Sequence, residues 1–121
     1  MKYMLLIYHE EQTWGNLSEQ ERQNMYAAYR QFREDIVRSG HHISGAQLNP
    51  VSMATSVRVR EGQQLTTDGP FAETKEQLGG YFLIEAANLD EATGIAARIP
   101  SAQVGTIEVR PLVESAAPAS A

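Results

Sequence analysis

The chain has 121 residues, 42% of them hydrophobic and 21% charged; that is one soluble domain, because two would leave about 60 residues each, too few for two cores. It has no cysteine, which excludes disulfides, thiolate catalysis and cysteine-ligated metals and makes a reducing cytoplasm the expected compartment. Ten basic against fifteen acidic residues give a net charge of −5, and the closest basic pair is Arg58 with Arg60, so the chain has no footprint for binding nucleic-acid phosphates.

The longest unbroken apolar run is Tyr3 to Tyr8, far short of the roughly 18 residues of a membrane span. No small-residue cleavage site follows it, so neither a membrane anchor nor a signal peptide is expected. The run reads as a strand buried on both faces. His9 to Leu17 reads as a polar loop with Gly15-Asn16 as its turn. Ser18-Glu19-Gln20-Glu21 matches a capping box. Met25, Tyr29, Phe32 and Ile36 follow on one helical face, and Gly40 supplies the stop. This predicts a helix over about 18–39.

His42 to Leu48 reads as a strand ended by Asn49-Pro50. Ser56 to Arg60 alternates, Glu61-Gly62 turns the chain, and Gln64 to Thr67 returns as a hairpin partner. Phe71 to Leu78 reads as a loop with a helical turn. Tyr81 to Ile84 is a second apolar strand. Asn88 caps a second helix with Leu89, Ala92, Ile95, Ala96 and Ile99 as its buried stripe and Pro100 as its stop. Thr106 to Arg110 alternates again, with Ile107 and Val109 inward. Residues 1–113 form the domain and 114–121 a flexible tail.

The order predicts an α+β, ferredoxin-like βαββαβ sheet with an inserted hairpin and both helices on one face. The strands at Tyr3–Tyr8 and Tyr81–Ile84 are apolar on both faces, so the other face also needs a cover. A second copy, sheet against sheet, is the expected cover and makes the chain a homodimer. A loop over 49–56 or 68–78 is the alternative.

Asp68 to Glu76 packs four charged groups, a Gly-Pro turn and Phe71 into nine residues. Asp68 and Glu73 are candidate acid–base groups, with Glu76 beside them and Lys75 holding a carboxylate ionised. A solvated charged loop is the competing reading. Arg110 shares a strand face with Glu108 and is a candidate clamp for a substrate carboxylate, against an ion pair with a neighbour. Tyr81 and His9 are further candidate ligand contacts. His41 and His42 are adjacent and diverge on a strand, so no metal site is expected. Gly79-Gly80 precedes a strand and opens no helix, and no Gly-x-Ser-x-Gly occurs, so neither a nucleotide site nor a hydrolase triad is indicated. No cofactor is called for.

The segment Asp68-Gly-Pro-Phe-Ala-Glu-Thr-Lys-Glu76, followed by Leu78-Gly-Gly-Tyr-Phe-Leu-Ile-Glu85, resembles the signature of the DGPF group of YCII-related proteins. Lys2 to Tyr8 is similar to that group's first strand and Ile107-Glu-Val-Arg-Pro111 to its last. The resemblance implies a ferredoxin-like fold, a dimeric α/β barrel and a cleft at the sheet and dimer face. Some relatives pair an aspartate with a histidine on the first helix; this chain has Tyr29 in the corresponding place. Two functions are therefore weighed. One is a cleft that binds, and acts by acid–base chemistry on, a small organic acid or aromatic. The other is a regulatory partner of an extracytoplasmic-function sigma factor, which the resemblance implies. In a third reading the Asp68–Glu76 motif is purely structural.

Overall fold

The alternation of the first strand decides the layering. In β1 (Lys2–His9) Tyr3, Leu5 and Ile7 are buried, while Met4, Leu6 and Tyr8 between them are half-buried. In chain order there follow α1 (Glu11–Gly15), α2 (Glu19–Arg38) and β2 (His42–Gln47); a 3-10 turn at Val51–Met53, the hairpin β3 (Thr55–Arg60) and β4 (Gln63–Asp68); then β5 (Gln77–Glu85), α3 (Leu89–Ala97), a second 3-10 turn at Pro100–Gln103 and β6 (Thr106–Pro111). The computed structural model describes residues 1–114, so all but the first residue of the expected tail lies outside the described residues.

Four strands form one antiparallel sheet in the order β2-β5-β1-β6, and β3 pairs only with β4. The fold is α+β, and this order is compatible with a ferredoxin-like arrangement. The two apolar runs become the two central strands, in register as Leu5 opposite both Phe82 and Val109. The hairpin closes through Glu61 (φ 52°) and Gly62 (φ 75°), both left-handed. That is the two-residue turn whose twist matches paired strands.

α2 begins with its capping box complete. The Ser18 hydroxyl accepts from the Glu21 amide at 3.1 Å, and the Glu21 carboxylate accepts from the Ser18 amide at 3.0 Å. Gly40 leaves the helix at φ 81°. Phe32 and Ile36 of α2 meet Leu5, Ile84, Ala92, Ile95 and Ile99 in one core, so both long helices cover the same face of the sheet.

Three local expectations change. The polar stretch after β1 contains the five-residue α1 rather than a plain loop. The segment 69–76 carries no helical turn; it is irregular, and Gln77 and Leu78 already pair with β1. Leu89 is 54% exposed; it is the first residue of α3, directly after the Asn88 cap.

Glycine positions offer a direct test of the packing. A Cβ at Gly45 would lie 2.7 Å from Phe82 Cδ1, on a ring that is itself buried, whereas a Cβ at Gly94, inside α3, would meet nothing within 4 Å. Urea denaturation should therefore show Gly45→Ala destabilised by about 1–3 kcal/mol and Gly94→Ala stabilised by about 0.5–1 kcal/mol.

Candidate functional site

The helix-covered face of the sheet is filled at only one end. Where α2 passes over β1, β2 and β5 between Met25 and Arg33, the strands present Gly45, Gly79 and Gly80, and a cavity of about 310 Å³ remains. Trp14, Tyr26, Tyr29 and Phe82 contribute aromatic rings to its walls. Trp14 meets Tyr26 edge-on, with centroids 5.4 Å apart. Tyr29 lies nearly parallel to Phe82 at 6.5 Å. The short helix α1 thus has a clear effect: it carries Trp14 to the cavity.

Four polar features border this space. The Tyr29 hydroxyl and Ser101 Oγ are 2.5 Å apart, and Ser101 is a buried polar residue at 7% exposure. Burial pushes the Tyr29 phenol above its ordinary value, with the hydrogen bonds to Ser101 opposing in part. Arg30 and Arg33 line the cavity from one turn of α2, and neither belongs to an ion pair among the described residues. Glu10 stands at the edge. His9 completes the set; a Cβ at residue 79 would lie 2.3 Å from its Nε2, so the imidazole occupies space that only glycine leaves open. Gly79 is the extra residue where the β1–β5 register shifts, a bulge that makes this approach possible.

The other histidines lie elsewhere. His41 contacts Ser39 Oγ at 2.6 Å and Glu91 Oε1 at 3.1 Å. His42 packs edge-on against Phe82 with its Nε2 buried and unpartnered. Burial, then the nearby Arg33 charge, hold it below the ordinary imidazole value.

Of the six residues singled out in the sequence, His9 alone borders the aromatic cavity. Lys75 lines a separate cleft with Glu11, Thr74 and Gln77, and Glu10 borders both. Asp68 ends the exposed hairpin, and Glu73 is exposed in the irregular segment. Tyr81 sits opposite Leu6 and Ala46 on the open face of the sheet. Arg110 donates to Glu108 at 2.8 Å through Nε, so its carboxylate partner is its own strand neighbour. The aromatic cavity thus lies on the helix side of the sheet, while a cleft of about 330 Å³ lies beside Thr74 and Lys75 of the Asp68–Glu76 segment. Trp14, Tyr26, Arg30, Arg33 and Ser101 were not singled out. Tyr26, Tyr29, Arg30 and Arg33 do carry a signal, an i, i+3, i+4, i+7 stripe that reads as the solvent edge of an amphipathic helix.

The Tyr29–Ser101 pair sets a stability prediction with a definite pH sign. Tyr29→Phe leaves a buried serine hydroxyl unpartnered and should cost about 1–2 kcal/mol at neutral pH. Because the phenol is raised in the folded state, its contribution is complete below the ordinary tyrosine value of 10.0 and is lost as pH rises above it. Denaturation curves of wild type and variant should therefore converge in alkali.

The profile of the YCII-related domain family matches residues 1–116. An uncharacterized protein of Rhizobium meliloti is 37% identical over 114 residues, which cover 93% of this chain and 92% of that protein. The family match runs through β1, the Asp68–Glu76 segment and β6, and the chain belongs to the YCII-related domain family.

Proposed function

We propose that the chain binds a small aromatic or conjugated organic acid in the cavity between α2 and the sheet. The observation that supports this is a 310 Å³ space with aromatic walls and two arginines without ion-pair partners at its side. Pockets of this kind, apolar with a few convergent polar groups, are where small ligands bind. A chain of net charge −5 repels anions in general. A locally cationic patch on it therefore selects where an anion settles. Guanidinium groups match carboxylate geometry, while Trp14, Tyr26 and Phe82 suit a flat apolar body. His9 remains a ligand group in this reading. Asp68, Glu73, Tyr81 and Arg110 border no part of the cavity and take no role in it, and Lys75 belongs to the neighbouring cleft.

The same reading includes a homodimer formed through the open face of the sheet, a dimeric α/β barrel. Met4, Leu6, Tyr8, Leu78, Tyr81 and Leu83 lie there half-buried, and none belongs to the core that the helices cover. A row of this size on a flat sheet is self-complementary under a two-fold axis. Sedimentation equilibrium should give twice the mass of one chain. Leu6→Lys, in the centre of the row opposite Tyr81 and Glu108, should give a single-chain mass with unchanged far-UV dichroism. A wild type that sediments as one chain removes the dimer from the proposal.

Ligand binding is tested by thermal shift with benzoate, phenylacetate and their neutral amides. A ligand at about 100 times its Kd adds roughly 2.7 kcal/mol of stability, a clear rise in Tm. The acids should shift wild type and Asp68→Asn alike and fail with Arg30→Gln/Arg33→Gln; the amides should shift none. A shift that survives loss of both arginines, or no shift with any acid, overturns the reading and returns weight to the sigma-factor partnership.

A further inference from the structure

The cavity brings three kinds of polar function together from three parts of the chain. β1 supplies an imidazole, His9. α2 and the turn after α3 supply a coupled hydroxyl pair, Tyr29 and Ser101, at 2.5 Å. α2 also supplies the two guanidinium groups. A site that only held a carboxylate needs the arginines and the aromatic walls. The imidazole and the hydroxyl pair are additional, and each has a visible structural cost. His9 requires glycine at residue 79, where any Cβ would sit 2.3 Å from its Nε2. Ser101 is a buried polar group. Neither His9 ring nitrogen has a hydrogen-bond partner among the described residues; the ring hydrogen bonds of histidine in the structure are those of His41.

We propose that this cavity is an enolisation site for 2-oxo acids bearing an aromatic-sized apolar group, with His9 as the proton-transferring residue. The proposal rests on the organic-acid reading and adds a reaction to it. Arg30 and Arg33 hold the carboxylate, and the Tyr29–Ser101 pair donates a hydrogen bond to the adjacent keto oxygen. Neutral His9 takes a proton from the carbon on the far side of the keto group. The C–H bond breaks, and its electron pair becomes the new C=C bond. The C=O π pair moves onto oxygen, where the hydroxyl pair and the guanidinium charges stabilise it. Protonated His9 then returns the proton, to oxygen to complete the enol or to carbon to restore the ketone. The proton lost by carbon is the proton gained, nothing is oxidised or reduced, and no co-reactant is needed.

Competing chemistries fit less well. Ser101 is engaged by Tyr29 and is 7% exposed, so it is a poor nucleophile. Glu10 is the one carboxylate bordering the cavity, and it makes no ion pair with His9 among the described residues. The cavity therefore lacks the relay that activates a serine.

The test uses the full chain and phenylpyruvate in D₂O. Exchange of the benzylic protons, followed by proton NMR, reads enolisation directly. Wild type should exchange them faster than buffer. His9→Asn should lower the catalysed rate about 100-fold, the low end of general acid–base contributions. Gly79→Ala should also lose the rate, since its Cβ displaces the imidazole while His9 itself remains. Tyr29→Phe should lower kcat more than it raises KM. Thermal melting of each variant confirms the fold, and Gly79→Ala tests the proposal independently if His9→Asn melts early. The inference is overturned if His9→Asn and Gly79→Ala exchange as fast as wild type, or if wild type only matches buffer while phenylpyruvate still raises Tm. In the second case the binding reading stands alone. Absence of both exchange and thermal shift removes the two together.

Discussion

The structure depends on how α2 meets the sheet. Its C-terminal half presses Phe32 and Ile36 onto Leu5 and Ile84, where the contact is fully buried. Close packing there fixes the helix axis over the two central strands. The neighbouring face of the same helix, from Met25 to Arg33, passes over β2 and the start of β5. Those strands present Gly45, Gly79 and Gly80, and the Phe82 ring and the His9 imidazole lie over Gly45 and Gly79. The cavity is the space left between the helix, these two rings and the glycine backbone beneath them.

The electrostatics follow the same division. Most acidic groups of α2 serve its ends and outer face. Glu21 closes the capping box, held below the usual carboxylate range by the backbone and hydroxyl of Ser18, and Asp35 pairs with Arg38 at 3.4 Å. Arg30 and Arg33 have no such partner among the described residues. They are left as local positive charge beside an apolar space, in a chain whose overall charge is negative. Burial of the Tyr29 phenol keeps that hydroxyl neutral, so the floor of the cavity donates hydrogen bonds without adding an opposing charge. The lowered His42 behind Phe82 is likewise uncharged at neutral pH.

Much of the fold was legible because it is written in local patterns. The capping box, the Phe32–Ile36 face, the Glu61-Gly62 turn and the two apolar strands are each set by neighbours a few residues apart. The site was less legible because it is made of distant pieces and of missing atoms. Tyr29 and Ser101 are 72 positions apart, and neither residue type signals the other. α1 has five residues and no periodicity to betray it. Arg30 and Arg33 share the charged stripe of an ordinary amphipathic helix. Gly79-Gly80 was read for what a glycine-rich turn does to phosphate, whereas here it makes room for His9. The segment Asp68–Glu76 drew attention through its charge density, yet charge density is also what an exposed loop carries, and Phe71 within it is 83% exposed.

The motif nonetheless bears on the cavity through the backbone. Gly69 adopts φ 97°, donates its amide to the Ala54 carbonyl at 2.7 Å and accepts from the Ser56 hydroxyl at 2.8 Å. The Asp-Gly turn thereby closes the base of the hairpin against the start of β3, a conformation that glycine adopts without strain. From there the chain runs to Thr74, whose carbonyl accepts from the Gln77 side chain at 2.5 Å. Gln77 in turn accepts from the Glu11 amide at 3.0 Å, and Glu11 accepts from the Val51 amide at 3.0 Å. The last three bonds tie Thr74, the loop after β2 and the start of β5 to α1, and α1 carries Trp14. The signature segment touches no part of the aromatic space, but the helix that forms one wall of that space is anchored to it. A change at Gln77 would therefore be felt at α1, and through it at Trp14, by way of the Gln77–Glu11 hydrogen bond.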